Sequence, residues 1–184
     1  MSLPKYKYLL TYRYAEIIFD LENEFEIRFL AGFENRRTRE QRYQAARSGK
    51  QNIIEAVGVS ATSKKSEMKL LGVSMGSYEE LLGDNEDFLR QRKLEIWSKT
   101  DIRVLRLREK GYRLSNLRNL SDLGHLKEKP ILPKDPEEAA NFMLTLCHLE
   151  TYLLSRQIAS LENIFVKEGG FTEKLYNSRT NYRR

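Results

Sequence analysis

The side chains best suited to chemistry are few: two histidines, His125 and His148, and one cysteine, Cys147. A Glu-x-x-His pair on each of two helices is the ligand pattern of di-iron helical proteins. Here the residues three positions ahead of the histidines are Asp122 and Thr145, so the pattern is not met. Cys147 and His148 are adjacent, and adjacent residues on a helix point about 100° apart, which does not suit a nucleophile–base pair. No Walker loop, G-x-G-x-x-G or G-x-S-x-G string is present. The sequence offers no catalytic constellation, metal set or cofactor motif, and the expectation is a non-enzymatic protein.

Basic chemistry is better represented. The 184 residues carry a formal charge of +6. Residues 36–60 hold six Lys/Arg against two Asp/Glu, and residues 95–134 hold ten against five. Such asymmetry favours a polyanionic partner, RNA or DNA. Arg36, Arg37, Arg39 and Arg42 surround the start of one expected helix, with Arg47 and Lys50 further along it. Lys64 and Lys65 occupy the first turn of the next. Helix N-termini are already positive, which suits a phosphate, although long basic side chains also extend into water. On a helical wheel Arg39, Arg42 and Lys50 fall toward the Ala46–Ile53–Val57 side, while Gln44, Ser48, Gln51 and Glu55 form a polar stripe opposite. The cations are therefore not gathered on one outward face. Further on, Arg103, Arg106, Arg108, Lys110, Arg113 and Arg118 are interleaved with Leu105, Leu107, Leu114 and Leu117. The candidate nucleic-acid-binding residues are Arg36, Arg37, Arg39, Arg42, Arg47, Lys50, Lys64, Lys65, Arg103 and Arg106.

Apolar spacing gives the elements that must position them. Leu10, Tyr14, Ile17, Leu21 and Phe25, widened by Ile18 and Phe29, predict an amphipathic helix over 5–30. Thr38-Arg39-Glu40-Gln41 reads as a capping box opening a second helix over 38–57, ended by Gly58. A third helix over 64–94 has the heptad seam Met68, Leu71, Met75, Tyr78, Leu82, Asn85 and Leu89, in which the polar Asn85 would fix register or oligomeric state. Within it, Gly72 and Gly76 suggest close approach of another helix, in the same subunit or across an interface. A basic, partly helical connector spans 98–134 and ends in Pro130-Ile131-Leu132-Pro133. Asp135-Pro136-Glu137-Glu138 then opens a fourth helix over 136–168, with the stripe Ala139, Phe142, Leu146, Leu149, Leu153, Leu161 and Ile164. A tail, 171–184, contains Arg179, Tyr182, Arg183 and Arg184. Together these predict one all-α domain, an antiparallel up-and-down four-helix bundle with a partly helical insertion between helices three and four. The single cysteine excludes a disulfide within the chain. The N-terminal apolar residues are interrupted by Lys5, Lys7, Arg13 and Glu16, and no run of about 18 apolar residues occurs. The expected setting is the cytoplasm, without a membrane partner.

The strings AARSGKQNIIEA, TSKKSEMKL, SYEELL, EDFLRQRKLEIW and EGGFTEKLY resemble the bacterial "four helix bundle suffix" group, which is similar to the 23S rRNA intervening-sequence proteins. The matching motif positions are Asn52, Ile53 and Glu55, then Glu67, then Gly76-Ser77-Tyr78-Glu79-Glu80. The chain departs from that pattern at Ala56 and Val57, where those proteins tend to have glycine after the Glu55 position, and in its longer connector. The resemblance implies a four-helix bundle assembled as a homo-oligomer, typically a pentamer. In it Asn52, Glu55, Glu67, Ser77 and Glu79 are structural residues, with the first four holding helices two and three in register. Related accessory proteins of diversity-generating retroelements bind nucleic acid and a reverse transcriptase. Two expectations follow. The first is an oligomeric nucleic-acid-binding protein. The second is a structural or adaptor protein that self-assembles and binds another protein through the Gly72/Gly76 face, Asn85 and the Gln44–Ser48–Gln51 stripe.

Overall fold

The computed structural model describes residues 3–115 and 129–182. Every regular element among them is helical: α1 (Leu10–Phe29), α2 (Arg36–Val59), α3 (Lys64–Gln91), α4 (Ile102–Leu114), α5 (Pro136–Glu168) and α6 (Phe171–Tyr182). No helix among the described residues is long and apolar enough to cross a membrane.

Local chemistry sets the boundaries. Lys5–Tyr8 form a short 3-10 turn, and Leu9 is extended, so α1 begins at Leu10, the first residue of its apolar stripe and five residues after the expected start. The Thr38 capping box does not form. A 3-10 turn at Phe33–Asn35 runs directly into α2, and Asn35 stands at its cap without a side-chain bond. Arg39 instead donates to the Leu30 and Gly32 carbonyls, satisfying the end of α1. Gly58 stays helical. The Ser60 and Thr62 hydroxyls close α2, donating to the Val57 and Val59 carbonyls at 2.8 and 3.2 Å. Ser63 caps α3 by accepting from Ser66 N at 3.1 Å. That helix stops at Gln91 because Lys93 turns left-handed (φ 57°). Lys93 N then donates to Arg90 O and Leu94 N to Leu89 O, the paired bonds of a Schellman ending. Asp135 caps α5 by accepting from Glu138 N at 2.9 Å, and Gly169 (φ 70°) ends it.

Helix α2 packs on α1 and α3, α5 packs on α1 and α3, and α4 lies against α5. The core between them is filled by Tyr14, Ile17, Ile18, Leu21 and Phe25 of α1; Ala46 and Ile53 of α2; Leu71, Tyr78, Leu81 and Leu89 of α3; and Phe142, Met143, Leu146 and Leu154 of α5. Phe25, Phe29 and Phe88 form an edge-to-face cluster with centroids 4.8–6.2 Å apart.

The buried seam of α3 differs from the apolar heptad. It runs Glu67, Leu71, Ser74, Tyr78, Leu81, Asn85, Phe88 and Leu89, with Ser77 beside it. The positions Leu71, Tyr78, Asn85 and Leu89 are shared, but the intervening ones sit one residue earlier, exchanging Met68, Met75 and Leu82 for Glu67, Ser74 and Leu81. Polar bonding turns the helix: Ser74 Oγ donates to the Gly49 carbonyl of α2 at 2.8 Å. Close approach of α2 and α3 occurs at Gly49, where a Cβ would lie 2.6 Å from the Tyr78 ring. At Gly72 and Gly76 a Cβ would meet nothing within 4 Å, so these two glycines do not seat a helix of the same chain. Gly49→Ala should therefore destabilise by about 1–3 kcal/mol, as overpacking does, while Gly72→Ala should stabilise slightly through helix propensity. Urea unfolding of both variants checks the contrast.

The outer part of α5 is thinly supported, by Ile158 and Leu161 against the core and by Thr11 Oγ1 donating to Gln157 at 2.9 Å. Beyond Leu154 none of its residues is fully buried. Ile164, Phe165 and Val166, and then Phe171, Leu175 and Tyr176 of α6, are exposed.

Candidate nucleic-acid interface

The ten predicted basic residues divide into three environments. Arg42 is a correction: it is 1% exposed and cannot reach a phosphate. Its guanidinium takes both oxygens of the equally buried Glu22, at 2.5 and 3.0 Å, and donates to Asn85 Oδ1 at 3.1 Å. It also stacks on the Phe25 ring, 4.7 Å from the centroid. Asn85 completes the set by donating to the Leu81 carbonyl at 2.7 Å, so the polar seam residue serves the inside of one chain. The wheel position of Arg42, beside Ala46 and Ile53, carried this signal.

A second group is engaged by neighbours. Arg39 closes α1, as described. Lys50 lies 3.8 Å over the Phe19 ring, and burial pushes its ammonium pKa down. Lys64 pairs with Glu67 at 2.7 Å. Arg103 is surrounded by Asp101 at 2.7 Å, Glu95 at 2.9 Å and Glu137 at 3.9 Å, and covers Trp97. The third group faces water: Arg36, paired only with Glu40 at 2.9 Å, and Arg37, Arg47, Lys65 and Arg106.

The chain does not bring its two basic helix starts together. Only residues 60–63 join α2 to α3, so Lys64 and Lys65 stand at the far end of α2 from Arg36 and Arg37. At 1.5 Å per residue the 24 residues of α2 separate them by roughly 35 Å. Arg118, Arg183 and Arg184, and the Asp122/His125 spacing, lie outside the described residues.

The motif residues hold their own helices more than they link α2 to α3. Asn52 donates to Ser48 O and Oγ at 2.9 and 3.1 Å, Ser77 donates to Val73 O at 3.3 Å, and Glu67 pairs with Lys64. Glu55 and Glu79 are exposed. Register is instead held by Ser74 with Gly49 and by Arg42 with Glu22 and Asn85. Sequence reading passed over Glu22, although it shares the apolar face of Ile18, Phe25 and Phe29. It also passed over Glu150, fully buried in α5 with both carboxylate oxygens lacking a partner.

Cys147 is fully buried, and burial pushes its thiol pKa far up, whereas His148 is exposed; the two do not form a reactive pair. Among the described residues no three His, Cys, Asp or Glu side chains gather as a metal set.

On the outer side of α2 and α3 lies an open groove of about 900 Å³. Arg37, Glu40, Gln41, Gln44 and Ser48 form one wall, Ser77 and Glu80 the other, over Ala45, Val73 and Gly76. No family model, curated protein or solved structure matches this chain.

Proposed function

We propose that this protein is a non-catalytic, self-assembling four-helix bundle that binds nucleic acid through the exposed cations of α2 and its neighbours. The bundle reading is supported by the closed cycle of neighbours α1, α2, α3 and α5, and by the short α2–α3 connection, with α4 as the insertion. One observation carries the assembly reading: the outer α2/α3 groove, in which Gly76 leaves open space beside the half-exposed Val73. Its small floor and amide-rich rim suit a helix of a second copy. Pentameric rings in the group that the sequence resembles agree with such a contact.

Assembly also answers the scatter of the cations. Of the candidates, each subunit exposes Arg36, Arg37, Arg47, Lys65 and Arg106, and they are spread along its length. Repeating them around an oligomer multiplies weak contacts into avidity. Phosphate binding then weakens steeply with salt.

The expected result is a multimer by light scattering that Gly76→Leu dissociates, together with loss of RNA binding by that variant. Arg47→Gln with Arg106→Gln, both outside the groove, should lower the salt slope of binding while the multimer persists. A wild-type monomer, or binding indifferent to salt, would overturn the reading. The exposed apolar end of α5 and α6 favours a second reading, an adaptor that docks a protein there. Capture of one defined protein that survives nuclease treatment, and is lost on Phe171→Ser with Tyr176→Ser, would select it.

A further inference from the structure

Between α3, α4, α5 and the non-helical strap 92–101 lies a cavity of about 360 Å³, within the range of about 300–1,000 Å³ usual for small-molecule sites. Its outer wall is the strap, which is pinned to α5. Trp97 N donates to Asn141 Oδ1 and Glu95 N to Glu137, while α4 leans on α5 through Leu107 and Gly111. The floor is apolar and dry in character: Val104 and Leu144 are buried there. The polar floor atoms are already engaged, since Asn141 serves Trp97, Glu95 and Glu137, and Thr145 donates to the Asn141 carbonyl. Trp97, Tyr112 and Tyr152 add aromatic walls. A guest therefore gains by burying an apolar body and can meet open polar groups only at the rim.

The rim is cationic. Lys99 and Arg108 both line it, and among the described residues neither forms an ion pair, in contrast to the saturated Arg103. Glu86 supplies one opposing charge, leaving the rim net positive. His148 sits among them. Burial lowers its imidazole pKa, Lys99 and Arg108 lower it further, and Glu86 acts the other way.

We infer that this cavity is a binding site for a small organic anion, with an apolar or aromatic body on the Val104–Leu144 floor and a carboxylate or phosphate head between Lys99 and Arg108. This site is separate from the α2/α3 surface and does not depend on assembly.

The test uses the full chain with 3-phenylpropionate, 2-phenylethyl phosphate and the neutral 3-phenylpropionamide. Binding is followed by calorimetry and by fluorescence of Trp97, the one tryptophan in the chain. Both anions should bind saturably, at least about tenfold tighter than the amide, which is the factor for roughly 1.4 kcal/mol. Preference for one anion identifies the head group. Lys99→Gln, at an exposed position, and Arg108→Gln, at a half-buried one, should each erase most of that preference. Bound anion should also raise the His148 pKa read by NMR, with His148→Gln assigning the signal. Equal affinity for acid and amide, no saturable binding at millimolar concentration, or anion binding unchanged in both glutamine variants would overturn the inference.

Discussion

Arg42→Ala should destabilise the protein by about 3–5 kcal/mol, the usual loss when one member of a buried ion pair is removed. The variant strands the Glu22 carboxylate, 1% exposed, and leaves Asn85 Oδ1 without its donor. It also opens space beside Phe25. Chemical denaturation gives the value directly. The double variant Arg42→Met with Glu22→Leu should recover most of the loss, because an apolar pair of similar volume carries no desolvation penalty. A loss under about 1 kcal/mol, the range of surface pairs, would show that the trio is hydrated. Because Arg42 is internal, the Met/Leu protein should keep the wild-type salt slope toward RNA. The contrast with Arg47→Gln and Arg106→Gln separates structural from binding arginines.

Stability should fall as pH rises above about 4.5, and Glu150→Leu should remove much of that fall. Burial holds the Glu150 carboxyl pKa well above its usual 4.5, and burial together with Glu22 pushes Glu26 up to about 7. With raised pKa values the folded state keeps protons that the unfolded chain has released. The stability is therefore full below about 4.5 and declines through the interval above it. Each such proton contributes a slope of up to about 1.4 kcal/mol per pH unit. Glu26 ceases to contribute near pH 7. Replacing Glu150 by leucine removes two unpartnered buried oxygens and should stabilise by about 1–3 kcal/mol at neutral pH. Glu26→Gln should flatten only the acidic part of the curve. Parallel stability–pH curves for wild type and Glu150→Leu would sink the assignment.

Long apolar periodicities and caps with a single meaning were legible from sequence. Tyr14, Ile17, Leu21 and Phe25 define the buried face of α1, and Asp135-Pro136 places the start of α5. What the pattern missed was polar. A heptad template scores Met68 and Met75 as core and Ser74 as surface. It has no knowledge that Ser74 can bond a carbonyl laid bare by Gly49. The Thr38 box failed for a related reason: Arg39 was drawn to the end of α1, a contact between segments that local spacing does not report. The basic candidates suffered most. Composition counts Arg42, Arg39 and Arg103 as equal to Arg37, yet tertiary partners occupy the first three. The cavity beneath Trp97 had no short signature, since its walls come from residues spread over 86–152.

The two glycines after Glu168 divide the distal helices by how each begins. The outer half of α5 continues a helix already nucleated in the core, so it needs only elongation, and its amide protection should decline gradually toward Gly169. Helix α6 is 12 residues long and restarts beyond Gly169 and Gly170. At that length an isolated helix is marginal in water. Its order therefore depends on cover for Phe171, Leu175 and Tyr176, which ties the helicity of this segment to protein concentration.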